Sequence, residues 1–335
     1  MLRWLVRRLL VVAPLLLGIV LVTFVLIRTG DANPAVLIAG PEADAEQIRA
    51  VEEQLHLDEP ILVQFGYYLR SLVTGDLGVS WVSNRPVTTE IAERLPATLE
   101  LVVIGMVLSV VVGTAIGFVS ALRHNKATDH VARVVTLGGI SMPIFWVGLL
   151  LIFVFAFQLG WVPSPIGRLS LLDTPPEDVT GFLLVDSLLA GQFDIFKSAL
   201  WHLVLPVVTI VVVAGSTIAK QARSSLLEVL GTDAIRYGRA QGLSNTRIRL
   251  MVLQLGLPTI ITFSALTFGF VLGGSALVET IFSWGGLGQA GIGAVTDVDF
   301  ALVQGYVLTL AVVSVLVYLV ADILVSLIDK RTVLR

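Results

Sequence analysis

The chain contains no cysteine and few charged residues. Without cysteine it has no disulfide, no thiol nucleophile and no site for S-palmitoylation, so redox chemistry leaves its compartment undetermined. Charged residues fill 14% of the 335 positions, against about a quarter in an ordinary soluble domain, whereas hydrophobic residues fill 56%. This composition excludes an ordinary soluble fold and indicates a membrane protein.

Catalytic and cofactor-binding motifs are also missing. The sequence has no G-x-x-x-x-G-K-[ST] loop, no H-E-x-x-H helix and no H-x-E pattern with paired cysteines. The four histidines, His56, His124, His130 and His202, are scattered, and only His124 and His130 share a short loop. We therefore predict no catalytic residue, no metal or other cofactor and no nucleic-acid partner.

The chain is instead rich in long apolar blocks. A helix of about 20 apolar residues crosses a hydrocarbon core about 30 Å thick and satisfies its own backbone hydrogen bonds in lipid. The blocks cover residues 9–27, 99–122, 131–157, 201–219, 253–277 and 304–328. The predicted fold is an all-α polytopic membrane protein with six transmembrane helices.

Basic residues predict the orientation of these helices. With both termini in the cytoplasm, the cytoplasmic segments carry 15 of the 22 lysines and arginines, as the positive-inside rule requires. The 15 are Arg3, Arg7, Arg8, Arg123, Lys126, Arg133, Lys220, Arg223, Arg236, Arg239, Arg247, Arg249, Lys330, Arg331 and Arg335. Five of the remaining seven lie in the long segment 28–96, where the rule is weak because of the length.

Three regions are predicted along the chain. Residues 1–28 form a retained N-terminal anchor helix, because the apolar core of the first span exceeds the roughly 7–15 residues of a secretory signal. Residues 29–96 form an extracytoplasmic helical cap, with amphipathic helices starting near Pro41 and Pro60. Residues 97–335 form the transmembrane core, which includes a cytoplasmic loop at residues 220–252.

The most informative segment is residues 232–257, between the fourth and fifth predicted spans. The pattern predicts a short helix that Thr232 or Asp233 caps and Gly242 ends. A second helix is expected to start at Ser244 and run to Pro258 at the membrane. From the residues alone, two interpretations remain open: a rigid lever for a soluble partner, or a solvated basic loop that only enforces topology.

Several blocks along the sequence carry a resemblance to a known family. The central block, residues 239–244 followed by Leu257 and Pro258, resembles the cytoplasmic loop signature of ABC importer permeases. Other matching blocks cover nearly the whole chain, at residues 75–80, 94–101, 141–146, 223–228, 279–288 and 329–331. Together the blocks resemble the B-type permease subunit of the dipeptide, oligopeptide and nickel ABC importers. This resemblance implies the type I ABC importer permease fold.

The family's cytoplasmic loop forms a coupling helix that docks in a groove of an ATPase subunit. The resemblance carries this ATPase-coupling role to eight residues here: Arg236, Tyr237, Gly238, Arg239, Ala240, Gln241, Gly242 and Leu243. Residues 236–238 depart from the acidic-alanine-alanine triplet of the wider superfamily, Gln241 replaces a more usual lysine, and Lys330 replaces the proline of a terminal Asp-Pro-Arg.

The resemblance also implies the partners. They are a second homologous permease in a heterodimer, two ABC ATPase subunits that hydrolyse the ATP, an extracytoplasmic substrate-binding protein and the lipid of a prokaryotic inner membrane. The expected substrate is a di- or oligopeptide, although the family also carries nickel chelates, glutathione and some oligosaccharides.

The fifth span carries the residues predicted for the translocation path or its gate. They are Gly269, Gly273, Gly274, Ser275 and Glu279. Small residues allow close helix approach, so ordinary helix packing remains the alternative for the glycines. Glu100 and Asp322 are ionisable residues at or within spans, which makes both of them functional candidates. For Asp322 we favour snorkelling or ion pairing, because Lys330 and Arg331 lie only about two helical turns away.

Two other classes of protein remain as alternatives. An ion-coupled secondary transporter would show broken helices in matched halves and acidic residues near the membrane midplane. Asp322 lies too near one end of its span, and the sequence shows no matched halves. A polytopic membrane enzyme would need converging nucleophile or metal-binding residues, which the sequence does not offer.

Overall fold

The described part of the chain is helical. The structure, a computed structural model, describes residues 2–28, 35–36, 43–54 and 56–328, with backbone only at 2–11, 26–28 and 54. Within these residues there is no strand, only an isolated antiparallel bridge between Val79 and Pro86. The helices are α1 (Leu2–Arg28), α2 (Ala45–Gln54), α3 (Ile61–Val73), α4 (Val87–Leu122), α5 (Ala127–Ser141), α6 (Ile144–Leu151), α7 (Leu183–Leu189), α8 (Phe193–Ile210), α9 (Ser216–Leu230), α10 (Asp233–Ala240), α11 (Asn245–Ile281), α12 (Leu287–Thr296) and α13 (Phe300–Ile328).

Four described helical runs are long and apolar enough to cross a membrane. They are α4, residues 193–230, α11 and α13. The pair formed by residues 127–141 and 144–158 makes a fifth if it is counted as one span. Helix α1 has 27 residues, and its described apolar part is Val12–Val25. The all-helical, polytopic fold is confirmed, whereas the count of six transmembrane helices stays a prediction.

The predicted span 131–157 is not one straight helix. Helices α5 and α6 meet at an angle of 103°. Met142 and Pro143 between them are extended, with ψ near 129° and 137°. A proline ring disfavours the helical conformation of the residue before it, so Pro143 accounts for the break after Ser141.

Two stretches of π-helix interrupt the apolar helices. One, Ile152–Gln158, continues α6, and the other, Val211–Gly215, joins α8 to α9. The second lies inside an unbroken helical run over residues 193–230. This run begins eight residues before the predicted start of the fourth span, so Trp201 and His202 lie within a helix and not at its start.

The prediction of a separate helix ending at Pro258 is wrong. Helix α11 runs without a break from Asn245 to Ile281, over 37 residues, with Pro258 inside it. Val252 and Ile260, on either side of the proline, are both buried in one apolar core. Packing of both flanks therefore holds the helix in one direction, although Pro258 lacks the N–H that would bond to the preceding turn.

The chain divides into two compact units. The first comprises Met1–Leu95 with Ala290–Val313, and the second comprises Pro96–Gln289 with Ser314–Arg335. In the first unit, Phe24 of α1 is buried against Phe65 and Tyr68 of α3, with ring centroids 5.1 and 5.6 Å apart. Also in this unit, the Ser80 hydroxyl donates to the Asp299 carboxylate at 2.5 Å.

The second unit has an apolar core at one end of its helices. The core joins the C-terminal end of α4 to α9, α10 and α11. Its buried members are Ala121, Ala222, Leu226, Ile235, Ile248, Val252 and Ile260. Because Ile235 belongs to α10, this core fixes the short helix to the long helices on both sides of it.

Candidate functional site

The helix–turn–helix segment at residues 232–257, here called the elbow, is closed by a glycine turn. Helix α10 ends at Ala240, and Gly242 follows with φ of +75°, in the left-handed region where glycine has no steric penalty. The Leu243 N–H donates to the Gly238 carbonyl at 3.1 Å, and the Gly242 N–H donates to the Arg239 carbonyl at 3.0 Å. These two bonds define a Schellman motif, so the predicted helix end at Gly242 is confirmed.

The start of α11 is also fixed by a local hydrogen bond. The Ser244 hydroxyl accepts a hydrogen bond from the Arg247 N–H at 3.4 Å, as an N-cap residue does. Only Gln241, Gly242, Leu243 and Ser244 lie between the two helices, so the turn of the elbow has little freedom.

One face of the elbow packs into the core of the second unit. Ile235 is fully buried, as are Leu226 of α9 and Val252 of α11. Burial of each such side chain contributes roughly 1.5–3 kcal/mol. A methyl group on Gly238 would lie 3.1 Å from Ile248 Cδ1 and 3.2 Å from Leu243 Cδ1, so glycine here lets α10 lie close against α11.

The other face of the elbow is open. Of the eight residues predicted to couple to an ATPase, six are exposed, Gly238 is buried and Leu243 is half-buried. The exposed six are Arg236, Tyr237, Arg239, Ala240, Gln241 and Gly242. The Gln241 side chain donates to the Tyr237 hydroxyl at 2.6 Å, which orders this face without covering it. The geometry thus presents a basic surface on a rigidly held helix.

A buried ion pair lies beside the elbow, and no sequence pattern predicts it. Asp129 of α5 is fully buried and accepts from Arg223 Nε at 2.7 Å and Nη2 at 2.9 Å. The carboxylate also accepts from the Ser120 hydroxyl at 2.5 Å and the Asn125 N–H at 2.9 Å. Arg223 belongs to α9, next to the core residue Ala222, so the pair ties the α4–α5 connection to the helix that enters the elbow.

The small residues predicted for the path differ in their surroundings. A methyl group on Gly269 would lie 2.4 Å from the Tyr318 hydroxyl, so this glycine permits close contact between α11 and α13 within the second unit. Gly273 and Gly274 have no such neighbour within 4 Å among the described residues. Ser275 is fully buried, and its hydroxyl donates to the Leu272 carbonyl at 2.9 Å.

Glu279 lies in the last turn of α11 and is fully buried. Its Oε2 accepts from the Gln289 N–H at 2.9 Å, and its Oε1 accepts from the Ser275 hydroxyl at 3.3 Å. The carboxylate therefore holds the end of α11 to the start of α12. A role in gating stays a prediction.

Sequence blocks that are far apart in the chain meet around this end of α11. The Trp284 indole N–H donates to the Ala97 carbonyl at 3.0 Å, and the Leu287 N–H donates to the Thr98 hydroxyl at 2.8 Å. These bonds join residues of the 94–101 block to residues of the 279–288 block, both of which carry the resemblance described above.

Glu100 is paired with Arg168. Its Oε2 accepts from Arg168 Nη2 at 2.6 Å, and its Oε1 accepts from the Leu184 N–H at 2.8 Å. Asp322 is half-buried in α13, and Lys330 and Arg331 lie outside the described residues. His202 is buried and its Nδ1 lies 2.8 Å from the Ser198 carbonyl, so it is part of the packing of α8.

The fold defines a class of protein: a polytopic helical membrane protein built like the permeases of ABC importers. A solved structure titled as inward-facing conformations of the MetNI methionine ABC transporter covers 70% of this chain and 93% of its own, with a TM-score of 0.50 and 19% identity. That similarity shows the fold.

The sequence matches identify the family. Residues 113–334 match the inner membrane component of binding-protein-dependent transport systems, and residues 1–102 match the N-terminal part of such membrane components. The chain belongs to this family. It is therefore the permease subunit of an ATP-binding-cassette importer, in the inner membrane, and its partner ATPase subunits hydrolyse the ATP.

Three curated relatives match over nearly their full length. The dipeptide transport system permease protein DppB of Alkalihalophilus pseudofirmus is 39% identical, with 99% of each chain covered. DppB of Escherichia coli K12 is 37% identical, with 99% of this chain and 98% of the relative covered. The glutathione transport system permease protein GsiC of Escherichia coli O6:H1 is 36% identical, with 98% of each covered.

Proposed function

We propose that this permease carries di- and oligopeptides and that the elbow passes the movement of an ATPase subunit to the translocation path. The observation that carries the proposal is the continuity of α11. One helix of 37 residues, about 55 Å long, contains one arm of the elbow, the residues Gly269 to Ser275 and Glu279. A displacement of the elbow therefore reaches these residues along one helix.

The surface of the elbow suits this role. Its exposed residues, with Tyr237 at 68% exposure, surround a helix that is anchored by Ile235. We assign Arg236, Tyr237, Arg239, Ala240, Gln241 and Gly242 to contact with the ATPase, and Gly238 and Leu243 to holding the contact helix on α11. Because the helix is held by the core, a push on it moves α9 and α11 together.

The proposed assembly follows from the family. The chain forms half of the path, beside a second homologous permease in a heterodimer, with two ATPase subunits on the cytoplasmic side and a substrate-binding protein outside. Residues 1–28 form the anchor, residues 29–96 the extracytoplasmic cap and residues 97–335 the transmembrane core with the coupling loop 220–252. Both termini are cytoplasmic.

The peptide assignment is supported by the relatives. The named substrates of the relatives at 36–39% identity are dipeptides and glutathione, itself a tripeptide derivative. The test is uptake of labelled di- and tripeptides into proteoliposomes that contain the complete importer. We expect uptake only with ATP and with the ATPase subunits. Uptake by the permease without ATPases would show an ion-coupled secondary transporter instead.

The coupling role has a separate test in Arg239→Glu. This change reverses a charge on the exposed face without touching the core, so we expect ATPase copurification to fall at least tenfold and ATP-driven uptake to fall with it. The matched control is Lys126→Glu, an exposed charge reversal in the predicted cytoplasmic α4–α5 connection. Equal ATPase copurification in both variants would contradict the role of the elbow.

A further inference from the structure

A cavity in the second unit, with cationic and hydroxyl groups in a largely apolar wall, is not explained by transport coupling. It has a volume of about 230 Å³ and lies between the C-terminal part of α4, α5 and the first half of α9. Three cationic side chains line it, Arg133, Lys220 and Arg223, and so do three hydroxyl groups. The hydroxyl-bearing residues are Ser120, Thr136 and Ser224. The rest of the wall is apolar or glycine, including Ile116 and Leu137.

The cavity carries an excess of positive charge. Asp129 neutralises Arg223 through the two-point contact described above. Arg133 has a buried Nε without a hydrogen-bond partner, and its Nη2 lies 2.5 Å from His130 Nδ1. Lys220 is exposed and forms no ion pair with a described carboxylate. A buried, unpaired guanidinium N–H is costly, so the site favours an anion that accepts from it.

The span bounds predicted from the sequence put the cavity near the ends of two spans, at the level of a lipid headgroup. Lys220 directly follows the predicted span 201–219, and Arg133 lies at the start of the span 131–157. Helix α5 exposes Val134 at 71% and Leu137 at 54% beside the cavity, an apolar surface suited to acyl chains. The assignment of this level to the cytoplasmic leaflet rests on the orientation proposed above.

We propose that this cavity binds the phosphate group of an anionic phospholipid. Arg133 and Lys220 both supply positive charge at the cavity, Arg133 through its guanidinium and Lys220 as a mobile point charge. Basic pockets between transmembrane helices on the cytoplasmic side are a recurring form of lipid-headgroup site. Inorganic phosphate shares the same chemistry but lacks the acyl chains that the apolar rim would contact.

The experiment measures lipid bound to the full-length permease, purified in detergent with its partner subunits. Native mass spectrometry follows titrations with phosphatidylglycerol and with phosphatidylcholine. We expect phosphatidylglycerol to bind at least tenfold more tightly, and Arg133→Gln/Lys220→Gln to abolish that preference. The single change Lys220→Gln leaves no buried group unpaired, and its expected effect is about a fivefold weaker affinity.

The matched control is Arg123→Gln/Lys126→Gln, which removes two exposed charges near the cavity but outside its lining. This variant should keep the preference for phosphatidylglycerol. The lipid site is disproved if wild type binds both lipids equally, or if the control loses as much affinity as the cavity variants. Displacement of phosphatidylglycerol by excess inorganic phosphate would show a soluble-anion site instead.

The lipid measurement does not depend on transport. Its failure would leave the importer function standing, because uptake and ATPase copurification are separate readouts. A reversed orientation would change the leaflet but not the preference for an anionic headgroup.

Discussion

At the scale of single residues, Asp129 is the side chain whose replacement we expect to cost the most stability. A buried carboxylate is tolerated only when its charge is paired and its lone pairs are used. Asp129 meets both conditions through Arg223, Ser120 and the Asn125 N–H. The same pair gives the Arg223 guanidinium, which is only 20% exposed, its counter-charge. Removing either partner therefore costs more than the pair itself contributes.

We expect Asp129→Asn to lower the free energy of unfolding by about 3–5 kcal/mol, because it leaves Arg223 without a counter-charge. Thermal unfolding of the purified chain, followed by tryptophan fluorescence, measures the loss. Asp129→Asn/Arg223→Gln should recover part of it. Strictly additive losses in the double variant would show that the two side chains are not coupled.

Asp186 in α7 gives a prediction about pH. Burial raises the pKa of this carboxyl, but hydrogen bonds from the Thr180 hydroxyl, the Thr180 N–H and the Gly181 N–H outweigh burial and hold the pKa below its ordinary value. A lowered pKa in the folded state stabilises the fold above the unfolded-state pKa of about 4. That stabilisation is lost as pH falls through the folded-state pKa.

The unfolding temperature of the wild type should therefore fall below pH 4 more steeply than that of Asp186→Asn. The variant should also be the less stable of the two at neutral pH. Asp178→Asn, an exposed change in the same loop, is the control and should follow the wild type. Parallel pH profiles for wild type and Asp186→Asn would contradict the assignment.

At the scale of elements, the elbow shows how a short turn determines the direction of a long helix. Its geometry depends on a left-handed Gly242, two turn hydrogen bonds and the Ser244 cap. The sequence allows this much to be predicted, because glycine after a helical pattern and serine before the next one are local signals. Continuity through Pro258 depends on packing at both flanks, which a local pattern does not contain.

We expect Gly242→Ala to destabilise the elbow by about 1 kcal/mol or more, because a β-carbon is disfavoured at positive φ. Gly242→Asn should cost less, since asparagine tolerates this conformation. Gly231→Ala is the control: φ is −81° there, and the nearest atom to an added methyl group is 3.4 Å away. Thermal unfolding and ATP-driven uptake are the measurements. Equal effects at positions 242 and 231 would refute the role of the turn.

At the scale of the whole molecule, the absence of cysteine offers a direct test of orientation. Leu172 is 97% exposed in the predicted outer segment, and Tyr237 is exposed in the predicted cytoplasmic elbow. In intact cells that express the permease without its ATPase partners, and that are stripped of any outer barrier, a membrane-impermeant maleimide should label Leu172→Cys but not Tyr237→Cys. After permeabilisation both should react. The opposite pattern would invert the proposed topology.

Most of the long helices that the structure describes are predictable from the sequence, because long apolar blocks are a strong signal. The partners of its charged residues do not. In the sequence, Arg223 is one positive charge of the predicted topology and the first residue of the 223–228 block. Neither observation indicates that its partner is Asp129, 94 positions away. Pro143 is a local signal for the bend between α5 and α6. Pro258 is the same kind of signal, yet α11 continues through it without a break. Tertiary packing decides between these two outcomes.

The π-helical stretch Val211–Gly215 has a consequence for how the chain tolerates changes in length. A π-helical turn contains one residue more than the α-helical turn it replaces. Loss of one residue from this stretch can therefore be absorbed by reversion to a regular turn, with Lys220 and Arg223 left on their present faces. Loss of one residue from the regular turns just before Arg223 would instead rotate the two parts of the helix by about 100° relative to each other. We therefore expect single-residue deletions in this helix to be tolerated best at residues 211–215.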